Sequence, residues 1–206
     1  MPKSGKITIG ITGEIGAGKT TYTKEFRNLG FLPVYTDKIA HEILKISEVK
    51  SLIRDYFGKD IIKKSEIDRK KLAFKAFRNK SNWKKLLELT HPCILKEIDK
   101  IIKCSANKYC AIDAPLLFES GLDKKCDFIL LVKASPDIRR KRLLKKMSWQ
   151  EAEKRTSCLM PIKDKLRLAD FVVDNSKNEK GMVKKNVQEI WLGIQNKRSK
   201  TERRSV

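Results

Sequence analysis

A chain of 206 residues with 40% hydrophobic side chains has material for one core of ordinary size, not for several. It contains no apolar run of about 18 residues, which excludes a helical membrane span, and its start, Met1-Pro2-Lys3-Ser4-Gly5-Lys6, lacks the apolar stretch of a secretory leader. The formal charge of +22 is spread through almost every segment, with aromatics at only 7% and no basic–aromatic interleaving, so it points to a small polyanionic ligand rather than specific nucleic-acid binding. The first predicted element is a strand at Ile7-Thr8-Ile9-Gly10-Ile11-Thr12, an apolar, β-branched run. Directly after it, Gly13-Glu14-Ile15-Gly16-Ala17-Gly18-Lys19-Thr20 fills every fixed position of the G-x-x-x-x-G-K-[ST] phosphate-binding loop. A helix over about 19–28 follows, completing the strand–loop–helix context that the motif needs. In such a loop the backbone N–H groups, with Thr21 at the helix start, face phosphate oxygens. Lys19 would reach the β- and γ-phosphates of ATP and the Thr20 hydroxyl would hold Mg²⁺.

Phe31-Leu32-Pro33-Val34-Tyr35 predicts a short second strand ending at Thr36-Asp37. From Ile39 to about Ile102 the apolar residues recur at helical spacing, with no strong strand alternation. Strands return at Tyr109–Ile112 and Phe128–Val132, short continuous apolar runs of the kind covered on both faces of a parallel sheet. Residues 137–167 read as charged helix, with eleven Lys or Arg against four Asp or Glu. Phe171-Val172-Val173 predicts a last strand and about 179–195 a last helix. The polar stretch 196–206 reads as a basic mobile tail. Strands alternating with helices around a first-strand phosphate loop predict a three-layer α/β fold with a parallel sheet. The five cysteines are odd in number and form no C-x-x-C pair, which predicts reduced thiols and a cytoplasmic setting rather than disulfides or zinc.

From near its start to about residue 176 the chain resembles the dephospho-coenzyme A kinase family. The resemblance rests on Ile9-Gly10-Ile11-Thr12-Gly13 with the phosphate loop, Asp37-Lys38-Ile39-Ala40-His41, Thr90-His91-Pro92, Pro115-Leu116-Leu117-Phe118-Glu119, Arg142-Leu143, and Lys165 to Asn175. It implies transfer of the γ-phosphoryl group of ATP to the ribose 3′-hydroxyl of dephospho-CoA. It also implies a core of 1–38, 104–136 and 168–195, a helical acceptor-binding insert at 39–103, and a helical lid at 137–167. The expected partners are these small molecules, with no membrane or specific nucleic acid, and the chain is expected as a monomer or weak homo-oligomer.

Each residue the resemblance marks also has a chemical reading. Asp37 ends the second strand, where carboxyl ends of parallel strands line a shared crevice. It can orient or deprotonate the acceptor hydroxyl, or it can cap the helix that begins there, and the two roles can coexist. Arg142 shares a helical face with Arg139 and Lys146, and a lid over ATP needs cations for the charge on the transferring group. Asp113 ends its strand where a carboxylate can orient Mg²⁺. Asn175 offers adenine both a donor and an acceptor, or is a turn residue. His91, next to Pro92 as a helix stop, and Arg69 are acceptor-binding candidates. Leu117 and Glu119 are candidates for the wall of the acceptor cleft, Leu117 alternatively being core. Three positions depart from the family's usual residues: Tyr35 for an acid, Lys146 for Arg and Leu159 for Gln. A nucleoside or nucleotide kinase would share the core but not the acceptor-side motifs. A GTP-dependent switch would need an Asn-Lys-x-Asp motif, which the chain lacks.

Overall fold

The computed structural model describes residues 6–144, 147–177, 179 and 181–203. Five strands form one parallel sheet: β1 (Ile7–Gly13), β2 (Leu32–Tyr35), β5 (Tyr109–Asp113), β6 (Phe128–Lys133) and β7 (Phe171–Asp174). Their order is β2-β5-β1-β6-β7, with every adjacent pair parallel. The central strand β1 is buried at all seven residues, as expected for an apolar run covered on both faces. One face carries α1 (Lys19–Asn28) and α9 (Met182–Arg203), which pack on each other. Between them lies a core of Ile9, Ile11, Tyr22, Phe26, Leu130, Val132, Val187 and Ile194. Phe31, Tyr109 and Trp191 interlock at one end of it, with ring centroids 4.8–5.2 Å apart, the edge-to-face and tilted geometry that aromatic quadrupoles favour.

The other face carries the segment between β2 and β5. It contains α2 (Thr36–Ile43), α3 (Ser47–Phe57), α4 (Arg69–Ala76) and the long α5 (Lys80–Cys104). Its core runs from Ile39, Ile53 and Phe57 through Ile98 to Ile112 and Leu117 on the sheet side. Two features differ from the sequence reading. A two-stranded antiparallel hairpin, β3 (Ile62–Lys63) and β4 (Glu66–Ile67), interrupts the helices. Its turn is made by Lys64 and Ser65, both at positive φ, and each strand is only two residues long, too short for any alternation to register. Pro92 lies inside α5 and does not end it. The loss of one N–H is tolerated in a helix packed along its length against α2, α3 and α4, and Thr90 Oγ1 donates to the Leu86 carbonyl at 2.8 Å beside it.

The basic segment folds as three helices, α6 (Pro136–Leu143), α7 (Trp149–Thr156) and α8 (Ile162–Leu168). Lys146 lies outside the described residues, as do 204–206 of the expected tail. The part of that tail up to Arg203 is not separate from the fold but continues α9. At its root Lys197 stands 4.7 Å from the Phe171 ring and 3.7 Å from an Asp170 carboxylate oxygen.

Candidate active site

The loop between β1 and α1 is built by backbone that only glycine tolerates. Gly13 has φ +147°, and a Cβ there would stand 1.9 Å from the Val132 carbonyl oxygen of β6. Gly18 has φ +100°, and a Cβ would meet the Asn175 amide nitrogen at 2.3 Å. No side chain caps the N-terminus of α1, and its first turn holds no acid. Its first N–H groups and its positive end are therefore available to an anion.

Four side chains converge beside this loop. Lys19 is 8% exposed and donates to the carbonyls of Gly13 and Glu14, each at 3.1 Å. Burial lowers the Lys19 pKa, opposed by the charges of Asp113 and Asp37. Thr20 Oγ1 donates to Asp113 Oδ2 at 2.7 Å. Asp113, at the end of β5, has its pKa raised by burial, partly offset by the Thr20 hydroxyl and Lys19. Asp37 lies in the first turn of α2, exposed, and the residue before that helix is Tyr35 with no side-chain cap bond. The cap position is thus held by Tyr35 and not by Asp37, whose carboxylate instead lies near enough to Lys19 to support its charge. Asp37 enters the site because β2 and β5 end side by side, with Tyr35 paired to Asp113.

Two arginines of α6 clamp the loop from the outside. Arg139, 6% exposed, pairs with Glu14 and donates from Nε to the Ile15 carbonyl at 3.0 Å. Arg142 donates from Nη1 to the Ala17 carbonyl at 3.0 Å and from Nη2 to the Asn175 carbonyl at 2.8 Å. The Asn175 amide nitrogen is itself committed, donating to the Ala17 carbonyl at 2.8 Å. These bonds join the end of β7 and α6 to the phosphate loop. They give Arg142 and Asn175 a loop-holding role that their sequence context did not reveal.

A cavity of about 690 Å³ opens over these groups. Ile15, Gly16, Gly18, Lys19, Thr20 and Thr21 line it from the loop side. Asp37, Asp113, Arg142, Asn175 and Leu159 line it from other elements. A second cavity, of about 730 Å³, lies between α4 and α7 and is lined by His41, Arg69, Lys70 and Lys154 among others. Phe77, Met147 and Arg155 line both, so the two cavities adjoin. None of these three was singled out from the sequence. Phe77 read as one more apolar residue at helical spacing.

The remaining acceptor-side candidates divide. Arg69, first residue of α4, lines the second cavity. Leu117 does not line a cleft: it is fully buried, within 3 Å of the place a Gly10 Cβ would occupy, and belongs to the core. The apolar wall is its neighbour Leu116. Glu119 is not a free polar contact. Its Oε1 accepts from Lys165 Nζ at 3.0 Å and from the Met160 N–H at 2.7 Å, tying α8 to the loop after β5. Lys165 also donates to the Pro115 carbonyl at 3.2 Å. His91 is half-buried inside α5 and lines neither cavity. Burial lowers its pKa, opposed by the Glu119 charge. Among the described residues no cluster of three or more His, Cys, Asp or Glu could by itself hold a metal.

Comparison with known proteins adds the family. The dephospho-CoA kinase family model matches residues 7–180. The dephospho-CoA kinase of Aquifex aeolicus is 38% identical over 172 residues, 82% of this chain and 88% of that protein. That of Fusobacterium nucleatum is 35% identical over 182 residues, 87% of this chain and 94% of that protein. Among solved structures, the dephospho-CoA kinase from Campylobacter jejuni superposes with a TM-score of 0.63 at 29% identity, covering 91% of this chain and 96% of that one. With matches of this extent, running from the first strand through the phosphate loop to the end of β7, the chain belongs to the dephospho-CoA kinase family.

Proposed function

We infer that this protein transfers the γ-phosphoryl group of ATP to the ribose 3′-hydroxyl of dephospho-CoA, giving CoA and ADP in coenzyme A biosynthesis. The observation that carries the reading is the convergence of Lys19, Thr20, Asp113 and Asp37 in one cavity at the carboxyl ends of β1, β2 and β5. The loop amides and Lys19 hold the β- and γ-phosphates. Lys19, now bonded to two loop carbonyls, is positioned to exchange them for phosphate oxygens. Asp37 accepts the proton of the 3′-hydroxyl as its oxygen attacks the γ-phosphorus in line. The bond from that phosphorus to the bridging oxygen breaks, and the electron pair leaves with ADP. Arg139 and Arg142 fix the loop, and Arg142, which lines the cavity, adds positive charge beside the transferring group.

Thr20 and Asp113 fit Mg²⁺. They are two hard oxygen donors already in contact, too few to hold the ion without waters and substrate phosphates, which is how Mg²⁺ is ordinarily bound beside a nucleotide. When bound there the ion would neutralise charge on the phosphates. The segment 39–103 forms the acceptor domain, with the cavity at Arg69, Lys70 and Lys154 receiving the rest of the acceptor, and 137–167 forms the lid. The protein works as a monomer or weak homo-oligomer in the cytoplasm, without nucleic acid. A coupled ADP-release assay tests the reading with dephospho-CoA, adenosine, AMP, pantothenate and no acceptor. Dephospho-CoA should give the highest kcat/KM, and equal or greater turnover of AMP or adenosine would overturn it.

A further inference from the structure

The place where the two cavities meet is built more specifically than the proposed reaction so far requires. Phe77, at the end of α4, stacks on Trp83 of α5 with centroids 4.5 Å apart and planes 22° from parallel. The Arg155 guanidinium of α7 stands 5.2 Å from the Phe77 centroid. Glu151, one turn earlier on α7, accepts from Arg155 Nη2 at 2.5 Å. Arg155 is thereby held on two sides, by an aromatic face and by a carboxylate, yet its Nε is buried without a hydrogen-bond partner among the described residues. An unmet donor on a cation costs more than one on a neutral group. It is tolerated where a ligand supplies the acceptor. The lining of the second cavity is cationic, with Arg69, Lys70, Lys154 and Arg155 against Glu151.

We propose that Arg155 binds the diphosphate of the acceptor, at the point where it passes from the phosphate-loop cavity into the cavity between α4 and α7. The proposal rests on the kinase reading above. With the 3′-hydroxyl at Asp37, the 5′-carbon leaves the neighbouring ring carbon, C4′, on the opposite face of the ribose, so the diphosphate begins only a few bonds from the reacting oxygen. Arg155, which lines both cavities, borders that position, and a planar guanidinium suits the paired oxygens of a diphosphate. Phe77 holds the guanidinium over its ring and excludes water from one side.

The test is steady-state kinetics of Arg155→Gln, Arg155→Lys and Phe77→Leu with both substrates varied. Loss of one charged contact should raise the KM for dephospho-CoA about tenfold or more in R155Q. The KM for ATP should stay within about twofold in all three. R155K, which keeps the charge and loses the fork, should fall between R155Q and the parent, and it serves alone if R155Q does not fold. F77L should raise the same KM, by less. A fall in kcat with the dephospho-CoA KM unchanged would place Arg155 on the transferring phosphoryl group and overturn the proposal. An equal rise in both KM values would make it a structural lid residue and do the same. Failure of the parent protein to phosphorylate dephospho-CoA would refute the kinase reading instead, and that result is visible before any variant is made.

Discussion

Asp37 and Asp113 lie at the ends of neighbouring strands but in opposite environments, one exposed and one buried. That contrast separates their roles experimentally. Because Asp37 caps nothing, Asp37→Asn should leave the melting temperature and ATP affinity unchanged while kcat drops about 10²-fold or more, the scale of a lost general base. Retained specific activity with lowered stability would refute the assignment. Asp113 should behave differently. Its native pKa is raised by burial, so folding disfavours its ionised form. No penalty exists below the unfolded-state pKa of about 3.9. The penalty grows as pH rises through the raised native value and is complete above it. Asp113→Asn should therefore melt higher than the parent at pH 7, with the gap closing toward pH 4, while turnover falls if Asp113 is the proposed Mg²⁺ ligand. Thermal melts across that pH range check the sign. The phosphate loop itself was legible residue by residue, because its motif fixes backbone geometry as well as chemistry. Leu117 and Glu119 were not. The sequence places both in one apolar-acidic run, and only the packing shows that Leu117 faces Gly10 and that Glu119 faces Lys165.

The basic segment, the proposed lid, is anchored at both of its stems. Arg139 and Arg142 bind α6 to the phosphate loop, and Lys165 binds α8 to Glu119 and Pro115. The middle helix, α7, instead reaches the segment between β2 and β5 through Lys154 beside Phe74 and Arg155 beside Phe77. The charge run of 137–167 announced a basic segment but not this division, since a charge pattern does not say which cations meet carbonyls and which meet rings. The Lys165–Glu119 pair is buried, with 3% and 11% of the two side chains exposed. Removing one partner of such a pair costs about 3–5 kcal/mol because it strands the other. Lys165→Met should accordingly lose stability on that scale in denaturant melts, and the double variant with Glu119→Gln should recover a large part of it. A recovery of nothing would mean that the lysine acts through the Pro115 carbonyl alone.

At the scale of the whole molecule, the layering and the parallel sheet followed from the alternation of apolar runs and helical periods, and the five sheet strands fall where apolar runs predicted them, whereas their order across the sheet is seen only in the structure. The hairpin β3–β4 and the unbroken α5 did not, because a two-residue strand has no period and a proline's effect depends on what packs around it. The charge of +22 acts at this scale too. ATP and dephospho-CoA are polyanions, so KM for both should rise between low and physiological salt as the field is screened over about 8 Å. A cut must respect Lys197, which is tied to Asp170 and Phe171. Deleting 198–206 should leave kcat and both KM values within about twofold, because the chain keeps most of its +22 charge and with it the field that captures polyanions. Salt-independent KM values would mean that the charge plays no part in substrate capture.

The aromatic contacts have an optical consequence. The chain contains three tryptophans, and the fold distributes them one to a part. Trp191 is packed among Phe31 and Tyr109 at the end of the sheet core. Trp83 stacks on Phe77 in the segment between β2 and β5, and Trp149 stands 5.3 Å from Arg139 at the start of α7. Three variants that each keep a single indole would therefore turn intrinsic fluorescence into separate channels. Emission from Trp191 should follow global unfolding and ignore substrates. Trp149 should respond to ATP, because Arg139 beside it is bonded to the phosphate loop that ATP occupies, and Trp83 to dephospho-CoA. Stopped-flow traces from the latter two would then order donor binding, acceptor binding and closure in time, with no label attached to the protein.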